Sequence, residues 1–181
     1  CRVLRCARLS PADFTKALRA MGDDTPEMDL PVLAALADGA PGVAWDLLAG
    51  GGAALYRELV AELANAPGLS RVSAHAIAAS CTGRDGAARF ALTLDLMRIA
   101  LARLARHASG AEVAPVSEDE ARLQLRLGST RGSALIWAKA ASEIIARATQ
   151  GMRANLDPAQ VILDTLFRID AAAASAHSRA A

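Results

Sequence analysis

The residues able to do chemistry in this chain are few and scattered. Cys1 and Cys6 stand at a spacing that two metal ligands could use, and only Cys81 and His75 could complete the four that a structural zinc site needs. No metal site is expected. His75, His107 and His177 lie in polar or terminal stretches, with no carboxylate and nucleophile placed for a triad, so each should be solvated surface. Asp23–Asp24 and Glu118–Asp119–Glu120 are adjacent carboxylates of the kind that acid–base work employs. The first pair sits in a turn, however, and the second at a helix start, where acidic residues are favoured for structural reasons. Gly50–Gly51–Gly52 lacks the Lys and Ser/Thr that follow at phosphate-loop spacing. No catalytic residue, cofactor or small-molecule substrate is expected.

The elements that would have to position such residues are helical. An apolar fraction of 53%, carried largely by Ala and Leu with only 3% aromatics, favours closely packed helices over a sheet rich in β-branched and aromatic residues. The expected fold class is all-α. A length of 181 residues holds one domain of ordinary size, or a small subdomain joined to a larger one. The net charge of +1 gives no broad positive field, so DNA binding over the whole surface is not expected. Three cysteines in no recognisable framework read as reduced thiols of a cytoplasmic protein. No run approaches the ~18 apolar residues of a membrane span. The chain opens on Cys1 with neither a signal core nor a transit pattern, and is expected to be an internal fragment of a longer protein.

Local signals place the helices. The alternation of apolar and basic residues over 1–9 allows a short strand. Ser10-Pro11-Ala12-Asp13 supplies a cap, a proline at the first helical position and a carboxylate three residues past the cap, so a helix is expected over about 11–21. A second should end at Asp38, starting at Pro26 or, because an interior proline costs roughly 3 kcal/mol, nearer Pro31. Val43 to Ala49 makes a third, ended by the three glycines, which are the preferred domain boundary. Beyond them helices are expected at about 53–65, 70–81, 84–108, 118–128, 133–153 and 158–171. The last two starts with clear chemistry are the capping box at Ser117–Glu120 and the Asp157-Pro158 cap. The alanine-rich tail, 172–181, should fray.

In the helix at 84–108, Phe90, Leu94, Met97, Leu101 and Leu104 form one stripe and Leu92, Leu96 and Ile99 a second, which makes this helix central in a bundle. Arg84, Arg89, Arg98, Arg103 and Arg106 spread over its polar edges. They read as stem packing, with a local contact to DNA phosphates or an acidic partner as the alternative. The helix at 133–153 shows a single broad face and should pack at the periphery. In the last helix Val161, Ile162, Leu166 and Ile169 point one way, while Leu163 and Phe167 point another. Leu163 and Phe167 are therefore candidate interface residues; the other reading is that both sides are core.

Three stretches resemble the C-terminal part of the delta prime subunit of the bacterial DNA polymerase III clamp loader. Cys1-Arg2, the apolar-basic segment after it and Leu9-Ser10-Pro11 resemble the segment following the Ser-Arg-Cys motif of that family. Gly39-Ala40-Pro41-Gly42-Val43-Ala44 resembles the start of the lid helix that carries sensor 2 in related ATPases. Met152 to Asp164, with Asn155-Leu156-Asp157 and Gln160-Val161, resembles the C-terminal signature of delta prime subunits of an alphaproteobacterial type. The resemblance implies a three-helix lid at about 1–49 and a helical collar at 53–171 that joins other clamp-loader subunits, delta and gamma or tau. It also implies that the sliding clamp and primed DNA are met only through the whole complex, and that no ATP is hydrolysed. The family's arginine finger would precede Cys1, and Val43 stands where an active relative presents its sensor 2 arginine. Only through membership of that complex would the parent be grouped with DNA polymerase. Two rival readings follow other features: the lid and collar of an ATP-hydrolysing subunit of gamma or tau type, and a helical DNA-binding regulator.

Overall fold

The computed structural model describes residues 7–21, 27, 29–129 and 132–178. All regular structure among them is α-helical, in the order α1 (Pro11–Ala20), α2 (Leu30–Ala37), α3 (Pro41–Ala49), α4 (Gly52–Leu63), α5 (Arg71–Ser80), α6 (Gly86–Ala108), α7 (Glu118–Gly128), α8 (Ser133–Arg153) and α9 (Pro158–Ser178). The all-α expectation therefore holds. The strand expected over 1–9 falls partly on residues 1–6, outside the described residues, and residues 7–9 form none. The Asp23–Asp24 turn also lies outside them. The chain divides into two compact units between Ala53 and Ala54.

The first unit holds α1, α2 and α3. Ser10 starts α1 as its residue type predicts: its Oγ accepts the Asp13 N–H at 3.2 Å and donates to the Asp13 carboxylate at 2.6 Å, with Pro11 at the first helical position. Phe14 and Leu18, four residues apart, form its buried stripe. Asp29 precedes α2 and Pro31 is its second residue, where a missing N–H costs nothing. Asp38 (φ 53°) and Gly39 (φ 77°) end it in the left-handed region. A Cβ on Gly39 would lie 3.1 Å from the Leu9 carbonyl oxygen, so that turn admits only glycine. The three glycines act as a helix C-terminus and a tight restart, since a Cβ on Gly52 would come within 2.8 Å of the Leu47 carbonyl.

In the second unit α6 packs against α5, α7, α8 and α9, which is the central place its two stripes imply. Phe90, Leu94, Met97, Leu101 and Leu104 are all buried. Of the other stripe only Leu96 is fully buried; Leu92 and Ile99 are partly covered, so the second face is narrower than the spacing suggests. α8 lies on α6 and α9 through Trp137, Ala140, Ile144 and Ala148. The indole of Trp137 is fully buried and donates to the Leu127 carbonyl at 2.9 Å, joining α8 to α7.

The alanine-rich tail does not fray at Ala172. α9 continues to Ser178, with Ala173 and Ala176 buried. Alanine has the best helix propensity of any residue, and its methyl suffices to seal a close helix contact. An expectation based on side-chain size alone misses both effects.

Candidate functional site

A buried polar cluster is built by α4, α6 and α7. The Glu120 carboxylate lies at its centre. One oxygen accepts from the Tyr56 hydroxyl at 2.9 Å and from Arg103 Nε at 2.7 Å, and the other from Arg103 Nη2 at 3.0 Å and the Val116 N–H at 2.7 Å. Arg103 Nη2 also donates to the Ala114 carbonyl at 2.7 Å, which ties down the segment leading into α7. The Ser117 hydroxyl accepts the Glu120 N–H at 3.1 Å, as the capping box predicts. The Glu120 carboxylate completes no reciprocal cap; it turns inward to Arg103 instead.

Tyr56 is wholly buried, and burial together with the negative charge of Glu120 holds its hydroxyl well above the usual phenol range. It is therefore a permanent donor. Burial pulls the Arg103 guanidinium down, but the hydrogen bond and charge of Glu120 outweigh that pull and leave it above its ordinary value. The Glu120 carboxylate, the Tyr56 hydroxyl and Arg103 Nε and Nη2 are all hydrogen-bonded within a largely buried cluster, so it holds three helices in register. Arg103 is accordingly a buried ion-pair partner, not one of the polar-edge arginines that its neighbours suggest. The available signal was its position seven residues after Leu96, on a covered face of α6.

The other candidate residues do not converge. Cys81 is buried, its thiol 3.6 Å from the Ile77 carbonyl and 3.5 Å from Thr93 Oγ1, whereas His75 is exposed on the far side of α5. Cys1 and Cys6 lie outside the described residues, and no group of three or more His, Cys, Asp or Glu within the described residues could hold a metal ion. His107 is half-buried over Gly128, where a Cβ would come within 2.7 Å of the imidazole, so it packs on α7 and is not the solvated histidine expected. Gln124 is buried with its Nε2 unbonded, one turn beyond Glu120.

The two candidate interface residues separate. Leu163 is 8% exposed and buried within the second unit, in line with the core alternative. Phe167, one turn further along α9, is 39% exposed. Its neighbours Asp164 and Arg168 belong to a surface cluster in which Arg147 Nε and Arg168 Nε meet the same Asp164 oxygen, at 3.0 and 2.8 Å. The hydrogen bond from Arg168, joined by that from Arg147, holds the Asp164 carboxyl below the usual range.

This α8–α9 hairpin coincides with the Met152–Asp164 stretch. Beyond Arg153, the last residue of α8, the chain turns at Asn155 in the left-handed region (φ 55°), with Leu156 N–H bonded to Gly151 O and Asn155 N–H to Met152 O, each at 3.1 Å. Gly151 lets the two helices approach closely there, since a Cβ would sit 3.1 Å from Val161 Cγ2 and that side chain would have to shift to admit it. Leu135 (76% exposed) on α8 lies at the other end of the same seam. No family model, curated protein or solved structure matches this chain. Among the described residues no helix is long and apolar enough to cross a membrane.

Proposed function

We propose that the chain is a non-catalytic assembly module: the C-terminal part of a delta prime type clamp-loader subunit, whose second unit docks against the helical regions of sister subunits. On this reading it joins delta and gamma or tau subunits in loading the sliding clamp onto primed DNA, inside a bacterial cytoplasm, and touches clamp and DNA only through the whole complex.

The observation that carries the reading is the α8–α9 face, where Leu135 stands exposed at a shallow apolar seam, while Phe167 is exposed elsewhere on α9 and the buried Tyr56–Arg103–Glu120 cluster is occupied in holding helices together. The three resembling stretches give the direction of the assignment. A first unit with three helices, followed by a larger helical unit, suits a lid joined to a collar. Val43, half-exposed in the first turn of α3, favours a subunit that does not hydrolyse ATP over the gamma or tau type, because it offers no cation to a nucleotide phosphate.

Sedimentation velocity of the 181-residue chain mixed with purified delta and gamma subunits tests it. A complex heavier than either component is expected. Independent sedimentation at micromolar concentration overturns the reading.

A further inference from the structure

The seam between α8 and α9 opens into a groove of about 560 Å³, running from Leu135 and Ser175 at one end to Arg147 and Arg168 at the other. Its floor is apolar, with Ile136, Ala140 and Ile144 on α8 facing Ala171 and Ala172 on α9. The two α9 alanines make the groove: no side chain longer than a methyl stands there to fill it. From Leu135 to Arg147 the helix rises about 18 Å, roughly three turns, which is the footprint of a short helix laid along the seam.

The charges around the groove do not balance. Arg147 and Arg168 aim their Nε atoms at one oxygen of Asp164, so two guanidinium groups share a single carboxylate, and no further hydrogen bond engages either guanidinium among the described residues. Lys139 adds a third cation, answered by Glu143 at 3.6 Å. Lys139, Arg147 and Arg168 line the groove against the single lining carboxylate of Glu143, with Asp164 shared by the two arginines at its edge, and both arginine side chains are well exposed.

We propose that this groove is the docking site for an amphipathic acidic helix of a partner protein. The partner's apolar stripe lies on the Ile136–Ala140–Ile144 floor, and its carboxylate accepts charge-assisted hydrogen bonds from the terminal nitrogens of Arg147 and Arg168. This rests on reading the second unit as an assembly module, and adds to it the surface and the chemistry of the partner.

The test uses the full chain and two synthetic helical peptides with the same leucine stripe, one flanked by Glu and the other by Lys, followed by fluorescence anisotropy. The Glu peptide should bind about tenfold more tightly than the Lys peptide, with the gap closing at high salt. Arg147→Gln with Arg168→Gln should abolish that preference with only a small change in thermal unfolding, since both side chains are on the surface and share one exposed carboxylate, and Leu135→Ser should weaken both peptides. Failure of the Glu peptide to bind, equal binding of the two peptides, or a preference that survives the double substitution overturns the proposal. So does a dimer of the chain that Leu135→Ser dissociates, which would assign the groove to a second copy. If the doubly substituted chain still assembles normally with delta and gamma subunits, the assembly reading stands and the groove falls. If the chain binds the Glu peptide but neither subunit, the groove stands and the clamp-loader assignment falls.

Discussion

Glu120→Gln separates the shape of the buried cluster from its charge. The carboxylate receives four donors on two oxygens: Tyr56 hydroxyl and Arg103 Nε on one, Arg103 Nη2 and the Val116 N–H on the other. An amide has the same outline but only one acceptor oxygen, so whichever way it turns, its NH2 faces two donors. The guanidinium is left without a counter-charge in a site where Glu120 is 1% exposed and Arg103 8%. Breaking a buried ion pair on one side costs about 3–5 kcal/mol, a large share of the roughly 5–15 kcal/mol that stabilises an ordinary domain. Tyr56→Phe removes one neutral donor and leaves both carboxylate oxygens occupied, so it should cost only about 0.5–1.5 kcal/mol. The assay is urea unfolding followed by tryptophan fluorescence in a Trp45→Phe background, where Trp137 alone reports on the second unit. Arg103→Met alone and combined with Glu120→Gln closes a double-mutant cycle, with a coupling of about 2 kcal/mol or more expected. A loss below about 1 kcal/mol for Glu120→Gln would mean that water reaches the pair, and would refute the closed network.

Tyr56 is the only tyrosine in the chain, so its ionisation can be followed directly by phenolate absorbance. Its folded pKa is raised, so its contribution to stability is complete below its unfolded value of about 10 and falls by about 1.4 kcal/mol per pH unit above it; alkaline unfolding should coincide with phenolate formation, and Tyr56→Phe should unfold with a shallower alkaline slope. Asp164 is the opposite case: its folded pKa is lowered, so the small stabilisation it gives is present above the unfolded value near 4 and lost as pH falls through the folded one, an effect under about 1 kcal/mol for so exposed a group, absent in Asp164→Asn and visible by comparing acid unfolding of the two chains. Asn155→Val should cost about 1–2 kcal/mol by thermal unfolding, because a β-branched residue resists the left-handed turn, while Asn155→Gly should be neutral or better. Truncation after Ala172 removes buried Ala173 and Ala176 and should lower the midpoint of unfolding, whereas a frayed tail would leave it unchanged.

The helices were legible because their signals are local. Ser10-Pro11, Ser117 and Asp157-Pro158 each combine a preferred start residue with a hydrophobic period, and each opens a helix within a residue or two of the expected place. Leu163 stays open between core and interface in the sequence because two apolar faces on one helix can mean either a partner or a second covering element within the same chain. Here α9 is covered by α5 as well as by α8, and α5 carries no sequence signal that names its neighbour. Phe167 lies one turn beyond Leu163 and escapes that cover, a difference set by tertiary arrangement and invisible to a helical period.

The polar cluster was hidden for a related reason. Tyr56 and Arg103 lie 64 and 17 residues before Glu120, and each of the three has an ordinary surface explanation when read alone. Glu120 even fulfils a local role, its N–H capped by Ser117, so nothing is left over to point elsewhere. What distinguishes Arg103 is that it occupies a covered position of α6, where an unpaired cation would be costly. A cation on an apolar stripe requires a carboxylate somewhere in the fold, and a helix start rich in acids is a natural supplier: three acidic residues open α7, and the one at the third helical position points back along the incoming chain toward α6. The same reasoning applied to Arg147 and Arg168 gives a different result. They have one carboxylate between them at the edge of an apolar groove, and the unanswered charge is the feature that assigns a partner to that face.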